Sequence, residues 1–542
     1  MPCTALLLAL SLSPAHGQEG NPLAPAMEAV DRRDYAAAAR EFTVAAEESD
    51  DPAVAERATQ FTFATGYDGY ALRAARRWVE LVPANPVGHE ALGRLNLRRH
   101  DIDGAARELS AALGTGEVAR DDMYFALAND LASEDDSRLV TRVLARLAGE
   151  DPLAPGLQLA LGNAALRSRD YELAAAAAAA ASIDDPEWVD PQVLAARVQA
   201  AAGGRDGVDA ALARLEALEA DEERAGLAFE RVRILEEQGR LDEARAVVNG
   251  LAERFGERPA VVKARAFLDM RADDLAAASR AFEALTSSQE DRFEAFYYLG
   301  QIAREQGDPE LARQTLVRIT SGPYLLPARL AMADSLVREQ RLDEAVGLLN
   351  QFIADYPPKA FEALDYLAQL LGNADRLDEA LAAWDRALNM KPEAPSALLG
   401  RGLLLERLGR YDEALRDMGK AAAIAVDDPV VQNAYGYTLA IRTRRLDEAY
   451  ARIRRAIELA PGSAAIQDSM GWALFQMKRN EEARSWLEQA WAAMPDPEVA
   501  AHLADVWAAT GARAEARELL YSALVAYPAS EPVRAAADRL LR

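Results

Sequence analysis

A small residue returns along this chain about every 34 positions, and nothing else in the sequence limits its fold so tightly. The positions are Ala38, Ala74, Ala105, Val143, Ala174, Ala211, Ala244, Ala278, Ala312, Ala345, Ala380, Ala414, Ala449, Ala483 and Ala516. From Ala244 onward the intervals are 33 to 35 residues, whereas 36, 31, 38, 31 and 37 separate the first six anchors. A fixed period of this length marks stacked supersecondary units, each unable to bury its apolar face alone. The less regular N-terminal half reads as partly degenerate repeats.

The stretch 463–495 shows what one unit is. Ile466, Met470 and Leu474 stand four apart, as on one side of a first helix over about 464–477. The turn Lys478-Arg479-Asn480 offers Asn480 as N-cap of a second helix, with Glu481 and Glu482 in its first turn, where the macrodipole favours negative charge. In that helix Ala483, Trp486, Leu487, Ala490, Trp491 and Met494 form one apolar stripe. Gly471 and Ala483 are small where two tightly crossed helices leave no room, and Pro495 ends the unit. The sequence Gly239-Arg240-Leu241-Asp242-Glu243-Ala244 returns in close variants before Ala345, Ala380, Ala414 and Ala449. Its Gly suits a left-handed helix end, and its Asp and Glu begin the next helix.

These residues resemble the tetratricopeptide repeat (TPR), whose consensus asks for a small residue at position 8, Ala at 20, a large apolar residue at 24, Ala at 27 and Pro at 32. Gly471, Ala483, Leu487, Ala490 and Pro495 fill those places. The resemblance implies an all-α fold, an α-solenoid of helical hairpins forming a right-handed superhelix. About 14–15 repeats then occupy 19–528, with a capping helix over 529–542. Ala-, Leu-, Arg- and Glu-rich composition also favours helix throughout. The eight alanines 174–181 predict a tight hairpin with a thin contact layer. Gly114-Thr115-Gly116 and Gly203-Gly204 mark turns. Residues 320–327 interrupt the pattern most and suggest a bend, with Pro357-Pro358 a lesser break.

The formal charge is −26, which repels phosphate backbones and argues against nucleic acid as a partner. Five of the 61 basic residues are Lys, so the acidity reads as compositional bias rather than function. Residues 5–12 form an apolar run too short to span a bilayer, followed by small residues at Ala15 and Gly17. Residues 1–17 therefore read as a signal peptide, although no Lys or Arg precedes the run, and the expected location is the periplasm. Cys3 is the only cysteine and precedes the apolar run, whereas a lipoprotein cysteine follows it. No lipid anchor, disulfide or transmembrane segment is expected in the mature chain.

Chemistry is scarce. His89 and His100 lack partners at metal-ligand spacing, and no nucleophile elbow, Walker A or dinucleotide motif occurs. The Asp-Glu pairs begin helices on separate repeats, so they form no acid/base dyad. The chain is not expected to be an enzyme, and neither a cofactor nor a metal is predicted.

Function then rests on shape. The resemblance implies that the first helices line a concave face that holds peptides or partner proteins, with positions 2, 5, 9 and 12 pointing inward. In the C-terminal repeats those positions give Asn433, Tyr437, Asp468, Trp472, Phe475 and Asp505, with His502 close by. An Asn among rings and carboxylates suits an extended polypeptide, although Tyr437, Trp472 and Phe475 can instead pack between repeats. TPR cochaperones that grip a terminal carboxylate use Lys and Asn here. Lys263 is the only Lys at position 5, and Phe267 stands where the Asn should be. The runs 433–440, 468–474 and 495–503 further resemble proteobacterial envelope TPR proteins, among them the outer-membrane lipoprotein adaptor of a carboxyl-terminal processing protease. That likeness implies an adaptor presenting substrates to a periplasmic protease. The alternative is a structural scaffold of an exopolysaccharide secretion or envelope assembly machine.

Overall fold

The computed structural model describes residues 21–541 except 114–123, 125–126, 129, 132–133, 135 and 220–225. Residues 1–17, expected to be a signal peptide, and the expected turn at Gly114-Thr115-Gly116 lie outside the described residues. Among the described residues all regular structure is helical, and successive helices pair as antiparallel hairpins that pack on their neighbours in sequence. No helix among them is long and apolar enough to cross a membrane.

All fifteen period residues are 0% exposed. The N-terminal irregularity, however, is one of phase. In twelve hairpins the turn places one residue in the left-handed region five positions before the anchor, at 33, 66, 100, 169, 239, 273, 307, 340, 375, 409, 478 and 511. Gly66 points to Ala71, not Ala74, and Ala71, Val140 and Val208 are 0, 1 and 2% exposed. With these anchors the early intervals become 33, 34, 35, 34, 34 and 36. Ala74, Val143 and Ala211 lie three residues further along the same buried stripe, so small size alone could not set the phase.

The helix starts follow from local chemistry. First helices often begin with Pro at N1, preceded by a capping Asp or Asn: the Asp428 side chain accepts from the Val430 and Val431 amides, and Asp496 from that of Glu498. Second helices use another device. Arg at the N-cap position forks onto the Glu three residues on, with Nε and Nη2 donating at 2.6–2.8 Å in the pairs Arg240–Glu243, Arg341–Glu344, Arg376–Glu379, Arg410–Glu413 and Arg479–Glu482. Arg445 also pairs with Glu448, but through the single oxygen Oε2, and its Nη2 donates to the Tyr435 hydroxyl as well. This explains why Arg-x-x-Glu recurs. It also corrects the expected cap in the 463–495 unit: the helix is Asn480–Ala493, its N-cap is Arg479, and the Asn480 Oδ1 is buried without a hydrogen-bond partner.

Packing inside that unit is close. A Cβ on Gly471 would stand 2.5 Å from Leu487 Cγ and 3.1 Å from the Ala483 carbonyl oxygen. Ala483, Leu487 and Ala490 are buried and Trp486 and Trp491 half-buried, but Met494 is 38% exposed and falls outside the stripe. The alanine-rich helix Tyr171–Ala181 buries Ala174, Ala177, Ala178 and Ala181, with Gly162 of the preceding helix so near that a Cβ there would lie 3.3 Å from Ala177 Cβ.

The chain divides into two compact units, Met1–Tyr366 and Leu367–Arg542. The division falls inside the helix Ala360–Asn373, just past the short turn Pro357–Lys359, whereas residues 320–327 lie within the first unit. There Arg329 donates to the Leu316 and Ile319 carbonyls at 3.2 and 2.9 Å and so satisfies the end of the short helix Pro309–Leu316. The second unit has 22 Lys and Arg against 25 Asp and Glu, net −3, leaving −23 of the chain's −26 on the first. The second unit ends with Glu531–Leu540, whose Val533 and Ala536 pack on Ala500, Ala504, Ala516 and Leu520.

Candidate functional site

Three consecutive first helices of the second unit carry the candidate residues: Pro429–Arg442, Ala464–Gln476 and Pro497–Ala509. Stacking hairpins at a near-constant period brings like positions side by side. Asp468 and His502 are 34 residues apart, and the His502 Nδ1 lies 3.0 and 3.1 Å from the two Asp468 carboxylate oxygens. Both side chains are buried, which a carboxylate tolerates only when paired. Trp472 lies over the His502 ring, centroids 4.0 Å apart and planes 18° from parallel. Phe475 stands 5.3 Å from Trp472, and Tyr437 6.4 Å from His502.

Tyr437 reaches further. Its hydroxyl donates to Glu498 Oε1 at 2.6 Å, linking the first helices of repeats two apart. Burial raises the Tyr437 pKa first, followed by the bond to Glu498 and the negative charges of Glu498, Asp468 and Glu406. The phenol therefore stays protonated and keeps donating.

The predicted set accordingly divides. The structure gathers Tyr437, Asp468, Trp472 and Phe475 around His502, and Asp468 and Trp472 serve packing between repeats. Asn433, one turn before Tyr437, is half-buried and its Oδ1 has no hydrogen-bond partner. Asp505 is drawn away: it accepts from Arg539 Nη2 at 2.6 Å, from the last helix. Sequence reasoning missed Glu498 and Arg539 and did not pair His502 with Asp468. Two of those pairs were findable, because Asp468–His502 and Asp505–Arg539 are each 34 residues apart, one period.

Elsewhere Lys263, Phe267 and His89 are occupied within the fold. Lys263 Nζ donates to Asp291 and Glu294 at 2.7 and 3.0 Å, and Phe267 packs in an aromatic cluster with Phe282 and Tyr298. A ligand's terminal carboxylate would have to displace both acids. His89 bonds the Glu108 carboxylate and the Pro83 carbonyl. Among the described residues no group of three or more His, Cys, Asp or Glu could hold a metal ion.

The family described as tetratricopeptide repeat matches residues 263–324, 330–384, 367–429 and 440–506. Those residues are tetratricopeptide repeats. TPR arrays are protein-interaction scaffolds, and this one is similar to the TPR repeat-containing protein PA4667 of Pseudomonas aeruginosa, 35% identical over 211 residues, 39% of this chain and 36% of that protein. It is also similar to the peroxisomal targeting signal receptor of Eremothecium gossypii, 28% identical over 191 residues, 34% of this chain and 32% of that receptor. The chain thus spans about a third of the length of the curated relatives it matches. Among solved structures, the APC/C hetero-tetramer Cut9-Hcn1 aligns over 99% of this chain and 98% of that one, at 16% identity and a TM-score of 0.38.

Proposed function

We propose that this TPR chain is a non-catalytic adaptor that holds a polypeptide along the first-helix face of its second unit. The observation that carries the reading is the continuous row of Tyr437, Trp472 and Phe475 over consecutive repeats, bonded into register through Glu498, Asp468 and His502. Rings held rigidly on helices lose little freedom when a partner covers them, and aromatic anchors dominate binding energy. The similar peroxisomal receptor is by its name a receptor for a targeting signal, which agrees with a polypeptide ligand.

The place we infer for it is the bacterial periplasm, on the strength of the apolar run at 5–12 and the small residues Ala15 and Gly17. Its task there is to present substrates to a carboxyl-terminal processing protease, a reading supported by the runs at 433–440, 468–474 and 495–503.

A photo-crosslinking side chain in place of Phe475, and separately in place of Tyr521 on a second helix, tests the face. In intact cells of the native host, adducts are expected at 475 and not at 521. Adducts at 521 alone, or at neither position, overturn the reading. Recovery of the protease among the 475 adducts or their co-purifying proteins supports the pathway; adducts that never bring the protease down refute that part.

A further inference from the structure

The first helices of the second unit carry three arginines, and each is already paired: Arg401 with Asp385 and Asp417, Arg407 with Asp375, and Arg442 with Glu406. The four carboxylates in the candidate row are treated differently. Arg442 holds Glu406 at 3.0 Å, His502 holds Asp468, and Arg539 holds Asp505. Glu498 is exposed and among the described residues has no cation within ion-pair distance; its side chain accepts only from the Tyr437 hydroxyl. No arginine on these helices is therefore left for an anionic ligand and one carboxylate is left for a cationic one; a neighbouring cation, Lys478 just beyond the helix Ala464–Gln476, lies 5.8 Å from the Phe475 ring centroid.

The rings point the same way. The negative face of an aromatic ring attracts ammonium and guanidinium groups. The second unit uses this pairing within itself: Arg442 lies 4.6 Å from the Tyr411 ring centroid, Arg479 5.1 Å from that of Tyr450 and Lys478 5.8 Å from that of Phe475. The second unit as a whole is nearly neutral at −3, so this preference is local to the row and not a by-product of the acidic first unit.

We propose that the row of Tyr437, Trp472, Phe475 and Glu498 takes an extended segment of another polypeptide through an Arg or Lys side chain, with the cation on Glu498 and its stem along the rings. This rests on the adaptor reading above and names the chemistry of its partner. It is the reverse of a clamp for a terminal carboxylate, in which the array supplies the cations.

The test is selection of a random nine-residue peptide library displayed on phage against the full-length chain, counter-selected on Tyr437→Ala/Trp472→Ala. Selected peptides are expected to share an Arg or Lys at one position. Glu498→Gln keeps an acceptor for the Tyr437 hydroxyl but removes the charge, and should weaken the best peptide about fivefold and flatten its salt dependence. Peptides that depend on Tyr437 and Trp472 but lack a shared cation, or that bind Glu498→Gln unchanged, overturn the cationic assignment and leave the adaptor reading standing. Failure to select any peptide that distinguishes the wild type from the double variant overturns both. Because Glu498 is exposed, the Gln variant is decisive even if the double variant folds poorly.

Discussion

Replacing His502 by Ala probes how the candidate face is held together. The substitution removes the side chain that bonds Asp468, whose two oxygens sit 3.0 and 3.1 Å from the imidazole Nδ1. Asp468 is 6% exposed, so water cannot replace the lost donor without opening the stack. Breaking a buried pair by removing one partner costs about 3–5 kcal/mol. Loss of the ring stacked 4.0 Å from Trp472 adds about 0.5–1.5 kcal/mol. The expected total is thus about 3.5–6.5 kcal/mol. Most of it comes from the orphaned carboxylate and not from a favourable net pair energy.

That argument has a second arm. Asp468→Val/His502→Leu removes both polar groups and refills most of the volume, and should fall within about 1 kcal/mol of wild type. A long repeat array need not unfold in one step, so a global melting curve is the wrong instrument. Amide exchange resolved by helix reports the local opening free energy instead. His502→Ala should lose protection across 429–540 and leave the first unit unchanged, since solenoid repeats touch only their neighbours. A double variant as damaged as the single one, or a single variant within about 1 kcal/mol of wild type, refutes the orphaned-charge reasoning.

Two further outcomes follow from the packing and one from the sequence. Ala483→Glu, at a fully buried crossing, should cost about 2–4 kcal/mol and lower exchange protection only in the last few repeats. Gly409 has φ +72 and open space where a Cβ would stand, so Gly409→Ala should cost about 1–2 kcal/mol from backbone strain alone; Lys478→Gly, at φ 65, should be neutral or stabilising by up to about 1 kcal/mol, both read by local exchange. If residues 1–17 are removed in the native host, intact-mass measurement should find a chain beginning near Gln18, whereas retention of Met1 and Cys3 contradicts export.

The hairpin was legible because its signals are local and repeat: anchor, left-handed turn, small residue at the crossing. What was not legible needed a neighbour. Ala74 and Ala71 are both small and buried, and only the left-handed φ of Gly66 tells which one begins the stripe. Asn480 has the better capping side chain, yet Arg479 takes the cap position because its guanidinium finds Glu482 in the fork. At the site, position numbers grouped Tyr437, Trp472 and Phe475, whose rings the structure brings near His502 or one another, but could not show that Asp505 would turn to Arg539 or that Asp468 would be buried under His502. Each of those depends on the residue one repeat onward, so comparing side chains a full period apart is the missing step.

The same helix face both joins the repeats and offers itself to a partner, so binding and stacking are linked. Asp468, His502 and Trp472 tie adjacent repeats, and the Tyr437 hydroxyl ties repeats two apart through Glu498 Oε1. A ligand cation competing for Oε1 would have to break that longer tie, and its affinity would fall by the stacking energy lost. One approaching Oε2 leaves the tie intact and adds charge neutralisation beside a phenol already surrounded by Glu498, Asp468 and Glu406. Only the second mode lets the occupied array be more firmly stacked than the empty one, with a stabilisation that grows as the logarithm of ligand concentration over Kd. A cationic partner should therefore protect the amides of all three first helices, 429–442, 464–476 and 497–509, together, although it touches only a few of their side chains.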